Sequence, residues 1–159
     1  MPVLEEFISI KASSAEVKRF LTDPVLINQW LSPVMMIEPI EGELMTTGSS
    51  YLLRLKTLAL VQATPYRVDK VEDGNIVQSF TGPWTGHNTW RWFPRDDVTI
   101  VLNRIDYEIN NPAVRVFFNG LGIPFFALDM KVQLSQLRRL IENRPQSSPT
   151  PRAQIATES

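Results

Sequence analysis

The residues with the most capacity for chemistry fall in one stretch, GPWTGHNTWRWFP, residues 82–94. Three of the chain's four tryptophans, Trp84, Trp90 and Trp92, stand there at even offsets. On an extended strand they share a face with Gly86 and Asn88, while Thr85, His87, Thr89, Arg91 and Phe93 take the other. A row of indoles beside an amide is a wall on which a flat apolar ligand stacks, with N–H groups as polar handles. The same row serves equally as plain core beneath a helix. His87 is the single histidine, and its ordinary pKa lies near neutrality. It could act as a general base, given an orienting group and a reacting partner within hydrogen-bond reach. Asp106, Tyr107 or Glu108 on the following strand could supply one. The alternative is a strand histidine that holds a neighbouring hydroxyl or carbonyl. His87, Arg91 and Tyr107 are the acid–base candidates.

Two further segments carry polar or irregular features. In residues 98–109, Ile100 and Leu102 share one parity, whereas Ile105, Tyr107 and Ile109 share the other with Val101 and Asn103. Either both faces are partly covered or a bulge lies near Asn103-Arg104. Asn103 and Tyr107, if inward, are polar groups in an apolar interior and need partners from a ligand, water or a neighbouring strand. Gly120-Leu121-Gly122-Ile123-Pro124 interrupts an otherwise helical pattern. Pro124 lacks the amide that would bond the Gly120 carbonyl, and its ring crowds that turn. Flanked by Phe117, Phe118, Phe125 and Phe126, the break reads as a gate to an apolar cavity, as a structural kink, or as an exposed dimer surface. Asp129, Lys131, Arg138, Arg139 and Glu142 read as the solvated side of the same helix.

Whole classes of function fall away on composition. With 16 basic and 17 acidic residues the net charge is −1, which offers no electrostatic footprint for nucleic acid. The chain has no cysteine and one histidine, which removes disulfides, thiolate nucleophiles and multi-histidine metal sites. There is no Gly-rich phosphate loop, nucleophile elbow or metal-binding spacing, so no cofactor and no metal is expected. No unbroken apolar run approaches the roughly 20 residues of a membrane span. The acidic N-terminus MPVLEEFISI is unlike a signal peptide, so a cytoplasmic setting is the default.

The elements that must position these residues can be read in order. Residues 3–10 alternate as a strand. Ser13 and Glu16 make a capping box ahead of a helix bearing Val17, Phe20 and Leu21. Asp23-Pro24 stops that helix and caps a second one bearing Leu26, Ile27, Trp30 and Leu31. Strands follow over 34–45, with a bulge or turn at Glu41-Gly42, and over 51–61, where Tyr51, Leu53, Leu55, Thr57 and Ala59 share a face. More strands follow over 66–72, 76–81, 84–93 and 98–109, with a hairpin turn at Asp73-Gly74. Asn111-Pro112 caps a long helix, in which Phe126, Met130, Leu134, Leu137 and Ile141 form one stripe. Residues 144–159 are rich in proline and small polar residues and read as a disordered tail behind a single domain, 1–143.

This order of elements resembles the START-like, helix-grip superfamily (SRPBCC), whose members include polyketide cyclase/dehydrase-like proteins and lipid-transfer domains. The similar residues are Ser13-Ser14-Ala15-Glu16-Val17 through Asp23-Pro24 to Trp30, the hairpin Val71-Glu72-Asp73-Gly74, Thr99 through Tyr107, and Leu134 through Glu142. The resemblance implies an α+β helix-grip fold: a curved, roughly seven-stranded antiparallel sheet around a long C-terminal helix, with two short helices after the first strand. It also implies a cavity between sheet and helix that commonly holds a hydrophobic or amphipathic small molecule. It brings no shared catalytic residues.

The expected ligand-binding residues are Trp84, Asn88, Trp90, Trp92, Asn103, Tyr107, Phe118, Phe125 and Met130. Three functions stay open: sequestration or transport of a hydrophobic small molecule, a cyclase/dehydrase-like enzyme using the same cavity, and a partner-binding protein with a filled core. No nucleic-acid partner and no integral membrane segment are expected, and a homodimer is possible.

Overall fold

Alternating apolar residues punctuated by glycine turns build seven strands, and three capped helical starts frame them. The structure is a computed structural model that describes residues 2–56 and 61–143. The strands are β1 (Val3–Ile10), β2 (Met35–Glu41), β3 (Ser50–Lys56), β4 (Val61–Glu72), β5 (Asn75–Phe80), β6 (Trp84–Arg95) and β7 (Val98–Ile109). They form one antiparallel, curved sheet in the order β1-β7-β6-β5-β4-β3-β2. β1 and β2 therefore lie at opposite edges, and the pair α1 (Ser14–Thr22) and α2 (Pro24–Trp30) carries the chain between them. The C-terminal helical stretch comprises α3 (Pro112–Phe117), a π-helical turn (Phe118–Gly122) and α4 (Ile123–Glu142). The expected helix-grip architecture is present.

Each helical start is fixed by a side chain that satisfies free backbone amides. Ser13 Oγ accepts from the Glu16 amide at 3.2 Å, and Asp23 Oδ1 accepts from Val25 at 2.9 Å. Asn111 Oδ1 accepts from Ala113 at 2.9 Å and from Val114 at 3.3 Å. Caps of this kind contribute about 1 kcal/mol each. The Trp30 indole N–H donates to the Phe20 carbonyl at 2.8 Å and locks α2 against α1. The core joins Ile10, Val17, Phe20 and Ile27 to Val68, Ile76 and Val101, and α4 grips it through Leu134, Leu137 and Ile141.

Several expectations change in detail. Asp73-Gly74 does turn β4 into β5, with Gly74 at φ +81° and its missing Cβ facing the Trp92 carbonyl. β4 is longer than expected because it already begins at Val61 and runs through Pro65, whose carbonyl accepts from the Thr81 amide. Thr57 and Ala59 lie outside the described residues, as does the 144–159 tail. No bulge interrupts β7: its register with both β1 and β6 runs without a shift. Its mixed phase arises because Ile100 and Leu102, on the outer face, are half-buried opposite Phe93 and Phe7.

The expected break at residues 120–124 is not a break. The helix continues, and the Ile123 amide bonds the Phe118 carbonyl five residues back. A wider turn is the physical answer to a proline that cannot donate to Gly120. Residues 112–142 thus form one helix with the length and apolar composition of a membrane span, although Asn119, the glycines and Pro124 break its apolar run. It is the helix of the fold that lies on the sheet. Even so, 17% of its most apolar 18-residue window is buried.

Candidate functional site

The concave face of the sheet is lined by one parity of each strand. From β3 come Tyr51, Leu53 and Leu55; from β4 Gln62, Thr64 and Tyr66; from β5 Gln78 and Phe80. From β6 come Trp84, Asn88 and Trp90, and from β7 Asn103, Ile105 and Tyr107. Trp30 of α2, Phe118 of the π turn, and Phe126, Asp129, Met130 and Gln133 of α4 close the other side. Between them lies a cavity of about 110 Å³. The interior is therefore not filled, which sets aside the filled-core reading.

The polar groups of this wall are organised in two bonded sets. Tyr51 Oη donates to Gln78 Oε1 at 3.0 Å, and Gln78 Nε2 reaches the Met45 sulfur at 3.2 Å. Asn103 Nδ2 donates to Asn88 Oδ1 at 2.6 Å and to the Thr89 carbonyl at 3.3 Å. One donor stays unspent. Among the described residues, the Trp84 indole N–H is buried with no acceptor. Tyr66 and Tyr107 are also more than nine-tenths buried in this wall. Burial pushes all three tyrosines above the usual phenol range; for Tyr51 the neighbouring Tyr66 adds to this and the Gln78 bond opposes it. They are protonated donors at neutral pH. Among the described residues, no Lys, Arg or His lines the cavity, and Asp129 is its single carboxylate, held by the Gln133 amide.

An aromatic partition separates this cavity from the surface. Trp84 meets Phe118 edge-on at 4.9 Å and Phe126 at 4.8 Å, and Phe118 also meets Tyr107 at 5.2 Å. Trp84, Phe118 and Phe126 line the cavity on one side and an apolar surface groove of about 680 Å³ on the other. The groove is completed by Pro83, Val114, Phe117, Leu121 and Phe125. Gly122 lets the Phe118 ring settle, because a Cβ there would fall 2.5 Å from ring carbon Cδ2.

The structure brings seven of the candidate residues to the cavity: Trp84, Asn88, Trp90, Asn103, Tyr107, Phe118 and Met130. Four others lie elsewhere. Trp92 is buried but packs in the core opposite Val101, beyond the end of the cavity. Phe125 faces the outer groove. His87 and Arg91 are exposed on the convex face, because strand alternation turns them away from the tryptophan row. The partner considered for His87, Asp106, shares that face and is taken by Arg104 at 3.0 Å. An acid–base role for His87 or Arg91 inside the cavity is therefore withdrawn.

Sequence reasoning missed Asp129, assigned above to the solvated side of the helix. It also missed Tyr51, Thr64, Tyr66 and Gln78. A signal existed for the last of these: Gln78 stands between Ile76 and Phe80 at the parity that turns inward.

The fold has solved relatives. The solution structure of KanY protein superposes with a TM-score of 0.73 at 17% identity, covering 89% of this chain and 97% of that one. TTHA0849 from Thermus thermophilus gives 0.70 at 16% identity, covering 88% and 97%. A protein described as the Aha1 dimer from Colwellia psychrerythraea gives 0.65 at 14% identity, covering 92% and 100%. These likenesses concern the fold. No curated protein matches the chain. The family model described as "Polyketide cyclase / dehydrase and lipid transport" matches residues 1–142, and with nearly the whole described domain inside that match the chain belongs to this family.

Proposed function

We propose that this chain binds a neutral, hydrophobic small molecule carrying hydrogen-bond acceptors, and sequesters or transports it. The observation that carries the proposal is the apolar cavity whose wall holds the buried, unpartnered Trp84 N–H, with the phenols of Tyr66 and Tyr107 among its lining. An unpartnered buried donor costs about 1–3 kcal/mol, which a carbonyl or hydroxyl oxygen on a ligand recovers. A carboxylate ligand is disfavoured, because no cation among the described residues lines the cavity and Asp129 would repel it. The domain 1–143 is the unit of this activity, and the setting is cytoplasmic. One relative of the fold is a dimer, and the apolar groove gives this chain a surface for the same behaviour.

The test is a fluorescence titration with a neutral polycyclic ketone. Three of the four tryptophans line the cavity, so bound ligand should quench their emission. Trp90→Ala and Asn103→Leu should each weaken binding, while His87→Ala and Arg91→Ala should leave it unchanged. Equal affinity across all four variants would place the site elsewhere.

A cyclase/dehydrase-like enzyme is the second reading, favoured by one observation: a carboxylate, Asp129, and a phenol, Tyr107, line one mainly apolar cavity. General acid–base chemistry needs little more. Asp129→Asn would abolish turnover of a poly-β-keto substrate while leaving its binding intact. Binding without turnover in the wild type would leave the carrier reading alone.

A further inference from the structure

The outward side of the C-terminal helix is as apolar as its inward side. From Val116 to Leu128 there is no charged residue. Val116 is 75% exposed, Phe117 63%, Leu121 67% and Leu128 62%. Val114, Phe117, Leu121, Phe125, Leu128 and Val132 follow steps of three, four, four, three and four. The π turn absorbs the extra residue of the double four, so the stripe stays on one side. A surface helix normally turns polar residues to water, and a helix that is apolar all round is a covered one.

The stripe also reads nearly the same in both directions. Turned end for end about a point near Ile123, Val114 falls opposite Val132, Phe117 opposite Leu128, and Leu121 opposite Phe125. Such self-complementarity is what a two-fold, antiparallel helix–helix contact requires. A lipid surface places no such demand on the order of residues. We infer that this face is covered by a second copy of the chain, helix against helix about a two-fold axis near Ile123.

The size of the contact sets its strength. Eighteen residue steps of about 1.5 Å give a stripe roughly 27 Å long, and a width of about 10–12 Å gives a planar footprint of roughly 300 Å² per protomer. That places it among weak, transient interfaces. It also has a consequence for the cavity. Val114, Phe117, Leu121 and Phe125 line the groove outside the aromatic partition, so the partner's half of the stripe would lie across that groove. Association would slow ligand entry.

Sedimentation velocity over about 10 µM to 1 mM full-length protein tests this. The wild type should shift from monomer to dimer with concentration, and Leu128→Glu should remain monomeric throughout. Leu128 is exposed and lines neither cavity nor groove, so its replacement spares the fold and the binding site. Stopped-flow entry of the polycyclic ketone should slow with protein concentration in the wild type and not in Leu128→Glu. A wild type that stays monomeric to 1 mM overturns the inference, as does a Leu128→Glu variant that dimerises equally. Monomeric protein that instead co-sediments with phosphatidylcholine vesicles would assign the face to a lipid surface and overturn the dimer.

Discussion

Replacing Trp84 by phenylalanine separates what the indole does as a ring from what it does as a donor. The ring sits at the partition, edge-on to Phe118 at 4.9 Å and Phe126 at 4.8 Å, with Phe80 at 6.3 Å. A phenyl ring keeps most of those contacts. It removes the buried N–H, whose missing partner costs about 1–3 kcal/mol, and it also removes buried apolar surface worth about 1–2 kcal/mol. The two terms oppose each other, so chemical denaturation should show a net change between a loss of about 1 kcal/mol and a gain of about 2 kcal/mol. Binding should split by ligand. A flat ketone such as 9-fluorenone accepts from the indole, and losing that bond should weaken it by about 0.5–1.5 kcal/mol, roughly 2- to 13-fold. Fluorene, the hydrocarbon of the same shape, should bind as before. Titration calorimetry on both probes reads the difference. Equal weakening of ketone and hydrocarbon would show that the N–H plays no part and would refute the donor argument.

Other outcomes follow from the same geometry. All three tyrosines line the cavity, and burial raises each pKa in the folded state. Their contribution to stability is complete below pH 10 and is lost as pH rises above it, because the unfolded chain releases those protons first. Stability should fall by up to about 1.4 kcal/mol per pH unit for each tyrosine, as urea denaturation at a series of pH values above 10 would read. Gly122→Ala improves helix propensity by about 1 kcal/mol, yet its methyl would displace the Phe118 ring. A net loss of up to about 2 kcal/mol in urea denaturation is expected, and a gain would show that the ring moves freely. Leu137→Ala, at a fully buried position of the grip, should cost about 2–5 kcal/mol.

The fold was legible because its signals are local. Ser13, Asp23 and Asn111 announce helix starts, Gly74 announces a turn, and alternation in β6 and β7 assigns faces. The tryptophan row gave the inward parity of β6, from which Asn88 follows and from which the exclusion of His87 and Arg91 could have been drawn. The site was legible in part. Parity says which face a residue takes and not how far along the strand the cavity reaches, so Trp92 shares Trp90's face but lies beyond it. The helix was harder still. The charges of α4 begin at Asp129, and a period of 3.6 places that residue near the edge of the apolar stripe. Whether such an edge meets water or a cavity depends on how the sheet curves, which no local pattern reports. The π turn was equally hidden: glycine and proline marked an irregularity, and packing decided that it would be a wider turn rather than a break.

The central claim is that the space between sheet and helix is a ligand site. Native mass spectrometry of the protein purified from its own host tests it most directly. A single adduct per chain is expected, released on denaturation as a neutral, oxygen-bearing hydrophobic molecule and lost in the Trp90→Ala and Asn103→Leu variants. A bare mass that stays bare after incubation with a panel of such molecules would contradict it.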